Sequence, residues 1–153
     1  MIVYRISKGK YKNDLSGTGA QLHGGRWNNK GNKMLYTASS RALAMAEVAV
    51  HVPYGILPKD YFLIEIEVPD LDMNIITLKD LAGIDWASHP PSAETQKIGD
   101  DFLIENKNLI LQVPSVVVLG DTNILLNPLH IKHADVVVLD SSPFDFDGRL
   151  FGV

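Results

Sequence analysis

Residues 35–51 read LYTASSRALAMAEVAVH, a short strand that runs straight into a helix. Met34 to Ala38 suits a strand, Ser39 or Ser40 supplies an oxygen to cap the first free N–H groups, and the helix is expected from about Arg41 to His51, where Pro53 stops it. Leu43, Ala44, Met45, Ala46, Val48, Ala49 and Val50 cover nearly every side of it, so the helix is expected to be buried all round. Glu47 interrupts that run, beside Leu43, Val50 and His51 at helical spacing. Burying an unpartnered carboxylate costs several kcal/mol or forces its pKa upward. Glu47 is therefore either paired structurally, with His51 as the nearest partner, or retained for chemistry, and the helix alone supports both.

Upstream lies His23-Gly24-Gly25-Arg26-Trp27-Asn28, followed by Gly31. Glycines let a backbone approach a ligand closely, and the planar Arg26 fork fits phosphate or carboxylate. A tight turn with a solvated arginine explains the same residues and is the commoner case. The whole stretch from Lys8 to Lys33 is rich in Gly, Asn, Ser and Lys, too long for a simple connector, and is expected to be a binding loop. Before it, Ile2, Tyr4 and Ile6 alternate with Val3, Arg5 and Ser7 as a first strand. Tyr36, on the strand entering the Glu47 helix, either lines a cleft with that carboxylate or fills the core, the more frequent use of a tyrosine.

Downstream, Tyr61 to Val68 reads as a strand with Phe62, Ile64, Ile66 and Val68 on one face and Glu65 and Glu67 on a solvated one. Asp85 to Pro91 is a proline-containing loop, and Ser92 to Asn106 a helix that packs on the sheet. Val116–Leu119 and Val136–Leu139 suit buried strands, separated by the turn-favouring Gly120, Asp121, Asn123, Asn127 and Pro128. Ser115 opens the first of these runs after Pro114; it either aims a hydroxyl into a cleft or satisfies nearby backbone groups, the commoner local role. The strained G-x-S-x-G turn of a serine hydrolase is missing. His130 and His133 are spaced by three, but without cysteine or an H-E-x-x-H run they read as loop histidines, and no metal is expected.

The 153 residues suit one domain spanning 1–153, with 46% hydrophobic and 21% charged residues as in ordinary globular chains. A formal net charge of −4 argues against direct nucleic-acid binding, which draws on clustered Lys and Arg. Lack of cysteine removes thiolate nucleophiles and disulfides. The first ten residues alternate and contain no long apolar stretch, so a cytoplasmic protein without a membrane span is expected.

Taken in order, Gly24-Gly25-Arg26-Trp27-Asn28, Gly31, Leu35-Tyr36-Thr37, the apolar helix bearing Glu47 and ending at His51, Pro114-Ser115, and Asn123 through Asn127-Pro128-Leu129-His130 resemble the RES domain family. The family is named for an Arg, a Glu and a Ser, which map onto Arg26, Glu47 and Ser115. The resemblance implies an α+β fold similar to ADP-ribosyltransferases, a single compact domain of mixed, mostly antiparallel sheet with flanking helices. It implies the toxin of a bacterial toxin–antitoxin system, acting on NAD+ as substrate at its nicotinamide–ribose bond. Its partner would be an Xre-like antitoxin, with a DNA-binding helix-turn-helix part and a part that covers the active site.

By the same resemblance, Arg26 holds the NAD+ diphosphate, Tyr36 packs at the nicotinamide end, Glu47 sits by the scissile ribose carbon, and Ser115 positions ribose or Glu47. Gly25, Trp27, Asn28, His51, Asn123 and Asn127 are counted with them on the substrate. Asn29 and Lys30 replace prolines expected after the Arg-Trp-Asn run, which makes that loop more mobile. Attack by water makes the protein an NAD+ glycohydrolase; attack by a protein side chain makes it an ADP-ribosyltransferase. A catalytically silent nucleotide-binding module is the third alternative, and retention of Arg26, Tyr36, Glu47 and Ser115 together argues against it.

Overall fold

Strands β1 (Ile2–Lys8), β2 (Leu35–Ala38), β3 (Tyr61–Glu67), β4 (Met73–Ile75), β5 (Ile110–Pro114), β6 (Thr122–Leu126) and β7 (Val137–Phe144) form one sheet in the order β4-β5-β6-β2-β1-β3-β7. Helices α1 (Thr18–His23), α2 (Arg41–Ala49) and α3 (Ala93–Glu105) complete a single α+β domain, in a computed structural model that describes residues 1–153. Every strand pair is antiparallel except β4 with β5.

Alternation along the strands divides the core. Leu35, Ile64, Ile66, Ile110, Ile124 and Leu126 share one face with Val3. Tyr36, Leu111, Val113 and Leu125 point the other way, where Trp27, Met34 and Phe102 of α3 cover them. Ile6 and Ala38 also point that way and meet Leu43 and Ala44 of α2, closed by Phe146 and Phe151. Helices α2 and α3 thus lie on the same side of the sheet. Between them, β1 and β2 share a single register pair, Tyr4 with Ala38, whereas β1 pairs with β3 along its whole length. The sheet parts where β2 leaves β1, and that divergence opens a cleft.

Several elements differ from those the sequence predicts. Val116–Leu119 is not a strand: Ser115 Oγ accepts the Val117 and Val118 N–H groups at 3.0 and 3.1 Å, and the β-branched run bends around it. The strand is instead β6, placed over residues expected to turn, because it is paired on both edges by β2 and β5 and pairing overrides the turn preference of Asn123. Lys8–Lys33 carries α1 and a 3-10 turn at Gly9–Tyr11. Strand β7 lies at the sheet edge, so only alternate residues of the Val136–Leu139 run are inside: Val136 joins the core and Val138 packs against it, while Val137 and Leu139 are exposed. Helix α2 ends at Ala49, and only Leu43 and Ala44 are fully buried. It rests on the sheet by one face, which leaves Val50 57% exposed and sets the second half of the helix beside the cleft.

Ser40 and Ser92 cap α2 and α3 through their side-chain oxygens. His130 caps the 3-10 turn Ile131–Asp135 with Nδ1, and His133 within it leaves Nε2 buried without a partner. Burial pushes the His133 ring below its ordinary range. The folded state therefore favours neutral His133, with stability fully present above about pH 6.5 and lost as pH falls below it. His133→Gln is expected to flatten the Tm decline between pH 7 and 5; an identical decline in both proteins would contradict this. No helix is long and apolar enough to cross a membrane.

Candidate active site

The cleft has a volume of about 1000 Å³, lined by β1 and β2, the second half of α2, the glycine–arginine loop and Pro114, Val116 and Val117. Glu47 reaches it from α2, and its neighbours come from far along the chain. Ser115 Oγ donates to Glu47 Oε1 at 3.0 Å and Asn123 Nδ2 donates to the same oxygen at 2.7 Å. The two N–H groups that bond Ser115 fill the acceptor capacity of its hydroxyl, so its one proton is directed at Glu47. Of the two local roles open to Ser115, it fills the backbone one, and its proton goes to Glu47 rather than into the cleft. At 1% exposure Ser115 stands behind Glu47 rather than in the cleft. Both bonds fall on Oε1; Oε2 has no protein partner and is not sealed from the cleft.

His51 also lines the cleft but does not pair with Glu47. Its N–H closes a three-residue turn onto the Val48 carbonyl at 3.0 Å, and the chain leaves the helix before His51 reaches the i+4 position.

Arg26 lines the opposite wall. Its Nη1 donates to the carbonyls of Trp86 at 2.7 Å and Ser88 at 3.0 Å. Burial lowers its pKa from the ordinary arginine value, opposed chiefly by the charge of Glu47, and the guanidinium stays protonated. A second cation, Arg5 of β1, lines the same cleft and was not singled out in the sequence. Its Nη1 donates to the Asp14 carbonyl at 2.5 Å, and it forms no ion pair. A signal was available: strand alternation sets Arg5 on the face of the buried Val3 and Ser7, where a charge needs a reason.

Tyr36 lines the cleft with its ring while its hydroxyl is held by the loop, donating to Asn28 Oδ1 at 2.7 Å and accepting the Trp27 N–H at 3.0 Å. Burial raises its pKa, so the phenol is neutral. Gly25 is required by this tyrosine: a Cβ there would lie 2.6 Å from the Tyr36 hydroxyl. Gly25→Ala is expected to lower stability by about 1–3 kcal/mol in denaturant unfolding. An unchanged midpoint would show that Tyr36 is not locked against this backbone.

Asn28 and Asn127 are not brought to the cleft. Asn28 is fully buried behind the loop, its Nδ2 donating to the carbonyls of Ala20, Asn29 and Asn32. Asn127 is fully buried between Asn106 Oδ1, at 2.8 Å, and the Leu129 N–H, at 3.0 Å. Trp27 turns its indole into the core and presents backbone to the loop. Asn29 is tied to α3 through the Asp100 carboxylate, which accepts its N–H at 3.1 Å and its Nδ2 at 2.8 Å, so the loop is moored where mobility was expected. No group of three His, Asp or Glu side chains converges to hold a metal ion.

A carboxylate fixed on one oxygen, with the Arg26 guanidinium near enough to feel its charge and an aromatic ring and a second guanidinium lining the same cleft, is suited to a ligand with separate anionic and cationic parts. The comparisons with known proteins agree on a family. The RES domain model matches residues 2–147, and the chain belongs to the RES domain family. Toxin Res of Photorhabdus laumondii is 37% identical over 152 residues, covering 98% of this chain and 97% of that protein. The Prs ADP-ribosylating toxin of a Sphingobium species is 42% identical over 120 residues, covering 76% and 74%. In the crystal structure of the M. tuberculosis MbcT-MbcA toxin-antitoxin complex, one chain shares the fold with a TM-score of 0.68 and 21% identity, over 98% of this chain and 86% of that one.

Proposed function

We propose that this chain is the toxin of a bacterial toxin–antitoxin system, acting in the cytoplasm, and that its cleft binds NAD+ and breaks the bond between nicotinamide and ribose. The observation that carries this is Glu47, with Oε1 fixed by Ser115 and Asn123 and Oε2 left open to the cleft. The toxin names of full-length relatives support the biological role, and the name ADP-ribosylating toxin supports NAD+ as the substrate.

As nicotinamide departs with the bonding electron pair, positive charge develops on the ribose ring. A preorganised carboxylate beside that carbon stabilises the charge without having to reorient. Ser115 and Asn123 act as positioning residues, holding Glu47 in place. Tyr36, neutral and rigid, packs against the nicotinamide end, while Arg26 and Arg5 face the diphosphate. Water then attacks the ribose carbon and releases a proton, giving nicotinamide, ADP-ribose and H+ from NAD+ and water. An Xre-like antitoxin with a helix-turn-helix part covers the cleft and supplies the DNA binding that an acidic chain lacks.

The second reading, transfer of ADP-ribose to a protein side chain, is favoured by the name of the Sphingobium relative. Incubating the purified chain with NAD+ and separating products by chromatography distinguishes the two. Equal amounts of nicotinamide and free ADP-ribose are expected. Nicotinamide release that needs cell extract, with ADP-ribose on protein, would replace hydrolysis by transfer, and no turnover in either condition would overturn both.

A further inference from the structure

The loop from Asp85 to Pro91 joins Arg26 to the cleft wall, and its residues have no part in the chemistry above. It is a built element: Trp86 packs its side chain with the Trp27 and Phe102 cluster, and the Trp86 and Ser88 carbonyls take both hydrogens of Arg26 Nη1. Arg26 therefore meets a ligand only through its Nη2 and Nε edge.

That edge is where His89 lies. Arg26 Nη2 is 3.4 Å from His89 Nε2 and 3.5 Å from Nδ1. A donor bonded to an imidazole lies in the ring plane, close to one nitrogen. An atom equidistant from both nitrogens in that plane would be driven into the Cε1–H between them, so Nη2 lies over the ring face with its N–H toward the ring, out of line with either nitrogen's in-plane lone pair. That position leaves the in-plane edge of each ring nitrogen open to a further partner. His89 lines the cleft, is exposed and makes no other side-chain bond.

We propose that His89 is a further binding residue of this cleft, bonding the phosphate-bearing part of the dinucleotide beside the Nη2 edge of Arg26. The inference rests on NAD+ being the ligand. The two are separated by measuring affinity in a Glu47→Gln background, in which NAD+ is consumed slowly enough for binding to be read, by titration calorimetry.

Adding His89→Ala is expected to weaken NAD+ and ADP-ribose about tenfold, as loss of a hydrogen bond to a charged group does. Nicotinamide riboside, which lacks phosphate, should bind both proteins equally, and His89→Gln should restore part of the loss. With Glu47 present, His89→Ala should raise KM about tenfold and leave kcat within about twofold. Equal NAD+ affinity with and without the imidazole would overturn the role of His89 and leave NAD+ as the ligand. An equal loss for the riboside would also overturn it, by pointing to a distorted cleft. Absence of NAD+ binding by the Glu47→Gln parent itself would overturn the ligand, and the role of His89 with it.

Discussion

Glu47→Gln is expected to lower kcat for NAD+ cleavage about a hundredfold to a thousandfold while leaving the fold intact. The substitution keeps the volume of the side chain, and the amide oxygen still accepts from Ser115 Oγ and Asn123 Nδ2, so the hydrogen-bonded support behind it survives. What disappears is the negative charge facing the ribose, and removing one preorganised electrostatic group from a cleft of this kind has effects of that size. An unaltered Tm with the rate reduced identifies the effect as chemical. Ser115→Ala and Asn123→Ala act through Glu47 and are expected to cost about tenfold each in kcat, with KM little changed. A Glu47→Gln protein that turns over NAD+ like the parent would remove the carboxylate from the mechanism.

Gly99→Ala is expected to have the largest effect on stability, about 3 kcal/mol or more, measured by urea unfolding. A Cβ at Gly99 would lie 1.6 Å from the Trp27 carbonyl oxygen and 2.6 Å from its carbon, and backbone cannot swing aside as a side-chain tip can. Helix α3 would have to back away from the loop that carries Arg26. That helix also holds the loop through Gln96 Nε2, which donates to the Gly25 carbonyl at 3.0 Å, and through the Asp100 bonds to Asn29. NAD+ affinity should therefore fall together with stability. Gly19→Ala is the control: nothing lies within 4 Å of a Cβ there, and alanine in α1 should be neutral or mildly stabilising. Equal stability of the two variants would contradict the close packing of α3 on the loop.

The elements legible in the sequence are those whose signals are local. Alternation marks β1 and β3, and serine caps mark α2 and α3. Strand β6 was hidden because its existence depends on partners on both edges, which no local pattern announces. The bend at Val116–Leu119 depends on one hydroxyl capturing two N–H groups, against the β preference of three valines. Strand β4 has three residues and pairs in parallel with β5, and α1 has six, both too short for periodicity to show.

The site divides in the same way. Glu47 stands out as a carboxylate within an apolar helix, but its local candidate partner, His51, is not its partner. The actual ones, Ser115 and Asn123, lie 68 and 76 residues away; the resemblance to the RES family offered Glu47 as one partner for Ser115 but set Asn123 on the substrate. Asn28 and Asn127 belong to the same motifs yet serve as internal ties, a distinction that burial makes and residue type does not. Arg5 carried a readable signal as a charge on a buried strand face. His89, in an exposed proline-containing loop, carried none.

The most direct test of Glu47 as the group beside the scissile bond is a crystal structure of Glu47→Gln with NAD+ bound intact. The nicotinamide ribose carbon is expected about 3.5 Å from the residue 47 side chain, a distance suited to reaction, with the diphosphate against Arg26. NAD+ bound in the reverse sense, with adenine at position 47 and the ribose carbon remote from it, would contradict this account.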